Sequence, residues 1–209
     1  MVVKGTARVT CPACGKASEC ELVQSINTRA NPGDKARLLA GDLDVLACEC
    51  GKRTQLEARV LFHDPDADYY CQVAPGGEPD VREAIEAFTQ SGAIGTQRIV
   101  PSLNALVEKV KILDAGLADW AIEMTKVLLL ASIGDLGRVL LFDVLDRDAG
   151  LIRWLIFDEE GHTPERVSSP LAAYDKLAAR TQSKPAISEL RIDRAWAIEA
   201  VQAMIRDAN

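Results

Sequence analysis

Cysteine is the residue of this 209-residue chain with the most chemistry in its placement. Four of the six cysteines stand in two short runs, Cys11-Pro12-Ala13-Cys14-Gly15 and Cys48-Glu49-Cys50-Gly51. Zinc takes four tetrahedral nitrogen or sulfur ligands, and a set of four cysteines makes a common closed structural site. A glycine after the second cysteine of each run lets the backbone fold back so that its N–H groups face the sulfurs. The spacing therefore predicts a Zn2+ site of Cys11, Cys14, Cys48 and Cys50, with 33 residues between Cys14 and Cys48. Such a site leaves no coordination position for catalysis. Its work is to stabilise a small β-module that cannot bury enough surface alone. The second run is one residue shorter than the first, so its geometry is the open part of the prediction.

Other readings of the same residues compete. Cysteine also serves as a small buried apolar residue. Cys11-Pro12-Ala13-Cys14 could be a redox dithiol, but no strand–helix–strand setting precedes it. A site that has lost its metal is a third reading. Cys20 and Cys71 have no paired neighbour and read as thiols buried in strands. Either of them, or His63, could replace a ligand at the short run.

No catalytic or cofactor-binding residue is assigned. The chain has two histidines, His63 and His162, and neither has a second histidine at helical spacing. There is no nucleophile elbow, phosphate loop or dinucleotide fingerprint. Asp64, Asp66 and Asp68 alternate like a calcium loop but lack its glycine and distal glutamate. Asp143, Asp146 and Asp148 fit the end of a hairpin that Gly150 completes.

The elements that must position the cysteines read as short strands around one helix. Residues 20–28 alternate in parts like a strand. Asn31-Pro32 opens a short helix that buries Leu38 and Leu39 and stops at Gly41. Residues 43–46 lead as a strand into the second run. Residues 55–62 and 69–74 read as two further strands joined by the turn at 63–66. Pro75-Gly76-Gly77-Glu78-Pro79 reads as a linker, giving domains at 1–77 and 78–209.

Beyond it, Val81, Ile85 and Phe88 share a helical face that ends at Gly92. Leu103, Leu106, Val107, Val110 and Leu113 form an amphipathic stripe between Pro101-Ser102 and Gly116. Residues 119–133 are apolar nearly all round, which places that helix centrally. Residues 138–145 and 151–157 predict a β-hairpin, and 170–181 and 187–207 two more helices. The fold class is α+β: a zinc-ribbon-like β-module with a helical insertion, then a mostly helical domain containing a β-hairpin.

The N-terminal region resembles the CpXC family of bacterial and archaeal proteins. The resemblance is carried by Thr10-Cys11-Pro12-Ala13-Cys14-Gly15, Ser25-Ile26-Asn27, Lys35-Ala36-Arg37-Leu38-Leu39-Ala40-Gly41, Leu43 and Leu61-Phe62-His63-Asp64-Pro65. It covers roughly residues 8–75. The family's second motif is Cys-Pro-x-Cys-Gly, from which Cys48-Glu49-Cys50-Gly51 departs by lacking the proline and one residue. The resemblance implies a zinc-ribbon-like module with a strand–helix–strand insertion, and it implies no activity. No resemblance is recognised in 78–209.

Charge narrows the function classes. The chain carries 24 Lys+Arg against 31 Asp+Glu, a net charge of -7. Residues 1–77 hold nine basic and ten acidic side chains, so the acidity belongs to 78–209. Nucleic-acid binding needs a cationic surplus. Only Lys52, Arg53 and Arg59 could form a small basic face beside the second run. The N-terminus reads as no secretory signal. The longest apolar run, residues 127–131, is far shorter than a membrane span. The expectation is a cytoplasmic, non-enzymatic adaptor or regulatory protein with a protein partner, no membrane and room for homo-oligomers. The alternatives are an enzyme with its site in the second half and a zinc-ribbon nucleic-acid binder.

Overall fold

A computed structural model describes residues 3–157, 164–180 and 183–207. The chain divides into two compact units, Met1–Val107 and Glu108–Asn209.

The first unit begins with an antiparallel hairpin of β1 (Lys4–Thr10) and β2 (Ala17–Val23), whose connection is the first cysteine run. After β3 (Ser25–Asn27) comes α1 (Pro32–Leu39), with Pro32 at its first turn and the left-handed Gly41 just past its end. Leu38 is buried, whereas Leu39 is only half-buried, because a helix of two turns presents one narrow face. A second antiparallel hairpin, β4 (Val45–Ala47) and β5 (Arg53–Gln55), carries the second cysteine run at its tip.

The strand expected over 55–62 is split. Residues 56–60 alternate buried and exposed but form no ladder, and the chain pairs again only at β6 (Leu61–Asp64). Alternation reports burial of one face, which extended chain can achieve without pairing. Strand β7 (Tyr69–Val73) follows, then α2 (Glu78–Ser91), capped by left-handed Gly92. In α2, Val81 and Phe88 are buried, but Ile85 is 41% exposed and Ala84 takes its place. Strand β8 (Thr96–Val100), not foreseen, runs parallel to β7 and completes a four-stranded sheet of order β3-β6-β7-β8. The helix and strand that follow residues 75–79 thus lie with the first sheet.

The division between the units falls within α3 (Leu103–Asp114). The second unit centres on α4 (Asp119–Ile133), which buries residues on every side as its composition implies. The expected hairpin is β9 (Val139–Asp146) with β10 (Leu151–Phe157), widened by β11 (Glu165–Pro170) to a three-stranded antiparallel sheet. Ile152, Trp154 and Ile156 alternate into the core of this unit. Trp154 Nε1 donates to Ser169 Oγ at 3.0 Å, so its one polar atom is satisfied.

Helices α5 (Leu171–Ala178) and α6 (Arg194–Arg206) cover α4. The expected helix from residue 187 starts instead at 194, where Asp193 caps it by accepting from Trp196 N at 3.1 Å. Asp193→Ala is expected to cost about 1 kcal/mol, the usual worth of such a cap. Urea unfolding followed by tryptophan fluorescence measures it, since Trp120, Trp154 and Trp196 all lie in this unit. His162 lies outside the described residues. No helix among the described residues is long and apolar enough to cross a membrane.

Candidate metal centre

The tips of the two hairpins bring Cys11, Cys14, Cys48 and Cys50 together. Their four Sγ atoms all lie within 4.8 Å of one another. Cys11 Sγ is 3.8 Å from Cys50 Sγ, and Cys14 Sγ is 3.5 Å from Cys48 Sγ. A metal–sulfur bond of about 2.3 Å sets the edges of a tetrahedron at roughly 3.8 Å, so this spacing fits a metal and not disulfides. Four convergent soft donors close the site.

Each tip is built from a repeated backbone device. Cys11 N–H donates to Lys16 O, and Cys48 N–H donates to Lys52 O, both at 2.9 Å. Inside these closures, Gly15 N–H reaches Cys11 O and Gly51 N–H reaches Cys48 O, again at 2.9 Å. Both glycines have positive φ, 73° and 87°, where a side chain is strained. The second turn spans one residue fewer and still closes, because Gly51 turns the chain back sooner.

The backbone also sorts the thiols electrostatically. N–H groups of Ala13 and Cys14 point at the Cys11 sulfur and lower its pKa to about 6 against the pull of burial. The Cys50 N–H lowers that of Cys48. The thiols of Cys50 and Cys14, burial and the Cys11 thiol together outweigh it and push Cys48 up to about 12. Without a metal these contacts therefore favour the thiolate at Cys11 over that at Cys48. A cation changes that balance, since metal ligation needs deprotonated sulfur and releases protons.

The residues held in reserve by the sequence do not join the cluster. Cys20 packs beside it, against the small core of Cys11, Leu46, Cys48 and Leu56. Cys71 is buried in β7 of the other sheet. His63 stacks on Tyr70 with ring centres 4.2 Å apart and lies 3.3 Å from Asn27 Nδ2 through its Nδ1. Asp66 pairs with Arg29, and Asp64 lies 3.7 Å from Lys35.

A residue not foreseen positions the two hairpins. Asp44, buried and at φ 52°, accepts from Val23 N with Oδ1 at 2.8 Å, joining the end of β2 to the start of the second hairpin. Its own carbonyl accepts from Leu56 N. Its Oδ2 is buried with no hydrogen-bond partner among the described residues. Burial pushes the carboxyl above its ordinary range, against the Val23 N–H and the charge of Arg37.

A carboxylate that holds its proton more tightly when folded loses stability as pH rises through its folded pKa. Asp44→Asn keeps the acceptor, tolerates positive φ and removes the charge. It is expected to add up to about 1 kcal/mol at neutral pH. The gain should fade as pH falls through the raised folded pKa and be gone below the ordinary carboxylate range, as thermal unfolding across pH will show.

The family model for CpXC protein matches residues 9–126, more than half of the chain. The chain belongs to the CpXC family. Within this CpXC chain the match contains the cysteine centre and runs past the motif-bearing region through α2, β8 and α3 into α4. No curated protein and no solved structure matches it.

Of the three basic side chains offered as a face beside the second run of this CpXC protein, Arg53 and Arg59 are drawn into ion pairs. Arg53 Nη2 lies 2.6 Å from Asp42, and Arg59 is clamped by Asp80 and Glu83. Lys16 and Glu49 pair at 2.6 Å across the two cysteine runs, an exposed contact worth little in itself.

Proposed function

We propose that the protein is a non-enzymatic, cytoplasmic adaptor or regulatory protein built on a structural zinc ion. Cys11, Cys14, Cys48 and Cys50 would hold the ion, and the two hairpins would form a zinc ribbon around it. The observation that carries this reading is the mutual approach of four sulfurs from two hairpin tips to within 4.8 Å. When bound, the ion supplies cross-linking and charge neutralisation for thiolates. The chain's own part is to aim N–H groups at the sulfurs and to close both tips through Gly15 and Gly51.

A protein partner is the occupant that charge favours. The net charge of -7 speeds encounter with a basic surface. The pairing of Arg53 and Arg59 with carboxylates speaks against a cationic face for nucleic acid. The buried charges of the second unit are paired with one another, which suits a structural role better than a reactive one. Elemental analysis of protein purified without added metal should find one zinc per chain. Recovery from native cells should yield one protein partner at fixed stoichiometry that is lost on chelation. Protein free of zinc, or a nucleic acid bound with a steep salt dependence, would overturn the proposal.

A further inference from the structure

We propose that the cysteine centre is also a peroxide-sensitive switch: a hydroperoxide joins Cys14 to Cys48 and Cys11 to Cys50, and the metal is expelled. This rests on the metal reading above and adds a chemistry to the same four residues. Its basis is how the thiols are exposed and paired. Cys14 and Cys50 are exposed, whereas Cys11 is 1% and Cys48 8% exposed. Each exposed sulfur lies beside a buried sulfur of the other hairpin, at 3.5 Å for Cys14 with Cys48 and 3.8 Å for Cys50 with Cys11. An oxidant in solvent therefore meets one member of each pair, and the second waits directly behind it. Exposure and a nearby second thiol are what make a cysteine easily and reversibly oxidised.

The chemistry balances. The exposed thiolate of Cys14 attacks one peroxide oxygen and the O–O bond breaks. The departing hydroxide takes up a proton to become water, leaving a sulfenic acid. The Cys48 sulfur then attacks that sulfenic sulfur. The S–O bond breaks, and the hydroxyl leaves as hydroxide, which takes a proton from solvent to become a second water. Two thiols have lost two electrons, and one hydroperoxide has been reduced. Cys50 and Cys11 repeat the sequence. The sulfurs need to close from 3.5 and 3.8 Å to about 2.05 Å, a movement that two short hairpin tips can share. Disulfide sulfur is no thiolate donor, so the ion leaves. The two bonds run between the hairpins and keep their tips together after the metal has gone.

The test uses the full, zinc-loaded chain and hydrogen peroxide. Released zinc is read with a coloured chelator, remaining thiols are counted, and disulfides are mapped by peptide mass spectrometry. The expected result is loss of four thiols and release of the zinc for about two equivalents of peroxide. The mapped peptides should join Cys14 to Cys48 and Cys11 to Cys50. Cys14→Ser should halve the peroxide consumed and leave only the Cys11–Cys50 bond. If that variant does not fold, the mapping in the natural sequence decides alone. Thiols and zinc that survive excess peroxide would overturn the switch, as would Cys11–Cys14 or Cys48–Cys50 bonds or over-oxidation to sulfinic acid. Protein that carries no metal at the outset would count against the zinc reading instead, and its disulfide map would still test the pairing.

Discussion

Removing the metal with a strong chelator is expected to unfold the two cysteine-tipped hairpins while the tryptophan-bearing second unit stays folded. The hairpins have little else to hold them. Their buried core is Cys11, Leu46, Cys48 and Leu56, with Val9, Cys20 and Leu22 packed at its edge, so two of its four buried members belong to the cysteine cluster. A β4–β5 pair of three residues a side does not stand alone in water. Structural zinc sites supply about 10–16 kcal/mol of apparent binding energy at neutral pH, far more than this core can replace.

From the sequence, chelation should melt residues 1–77 before the helical half. The structure narrows that expectation. Strands β3, β6 and β7 belong to a different sheet, with Ile26, Phe62, Cys71 and Val73 almost wholly buried. Amide hydrogen exchange should therefore show the Cys11 and Cys48 N–H groups losing protection first. The β6 and β7 amides should follow later, and tryptophan fluorescence should not change. Cys48→Ser should produce the same local loss without chelator. Protection of the Cys11 and Cys48 amides that is unchanged in excess chelator would show that the sulfurs bind no metal.

The cysteine centre was legible in the sequence because its information is local. Two thiols and a glycine within five residues specify a turn, and two such turns specify a site. The shortness of Cys48-Glu49-Cys50-Gly51 was legible as a difficulty, and its solution needed the backbone, where Gly51 bonds three residues back instead of four. Strand β8 was missed because Thr96–Val100 is buried through parallel pairing with β7, and nothing local marks a partner so far along the chain. The same holds for β11, whose sequence Glu165–Pro170 carries little alternation. Ile85 failed because helical periodicity places it on a face without saying how wide the covered face is. Asp44 looked like an ordinary strand-end residue, and only the fold brings Val23 N to its carboxylate.

The largest gap was in charge, and it sets the second expected result: Lys109→Met should destabilise the second unit by about 3–5 kcal/mol, the usual cost of breaking a buried ion pair from one side. The apolar stripe of α3 puts Glu108 and Lys109 outside its buried face, and the composition of α4 reads as almost wholly apolar. Yet Glu108, Lys109, Asp119 and Glu123 are all buried, with Lys126 nearly so. Lys109 Nζ lies 3.1 Å from Asp119, 3.4 Å from Glu123 and 2.8 Å from the Ile192 carbonyl. Lys126 Nζ lies 3.1 Å from Glu108 and 3.0 Å from Glu123, and Glu108 accepts from Phe142 N at 2.6 Å. The network ties α3 and α4 to β9 and to the chain before α6.

Burial disfavours each charge, but the carboxylates around Lys109 outweigh it and hold that ammonium above its ordinary pKa. Burial likewise opposes the charge on Glu123, and Lys126 and Lys109 together bring that carboxyl below its usual range. The stability from Glu123 is thus present above the ordinary glutamate pKa and lost as pH falls through its lowered one. That from Lys109 is present below the ordinary lysine pKa and lost as pH rises through its raised one. Glu108 runs the other way: burial raises it, so its charge costs stability as pH rises through its folded pKa.

Methionine at 109 keeps the packing volume and removes the cation, leaving Glu123 with Lys126 alone and the Ile192 carbonyl without its Nζ donor. Urea unfolding followed by tryptophan fluorescence reads the loss, with the slope of the transition unchanged if only stability has moved. Adding Asp119→Leu to Lys109→Met should recover part of it, because a buried carboxylate that has lost this ammonium is then removed. A single variant within about 1 kcal/mol of the natural protein would show that water, not the network, solvates Lys109.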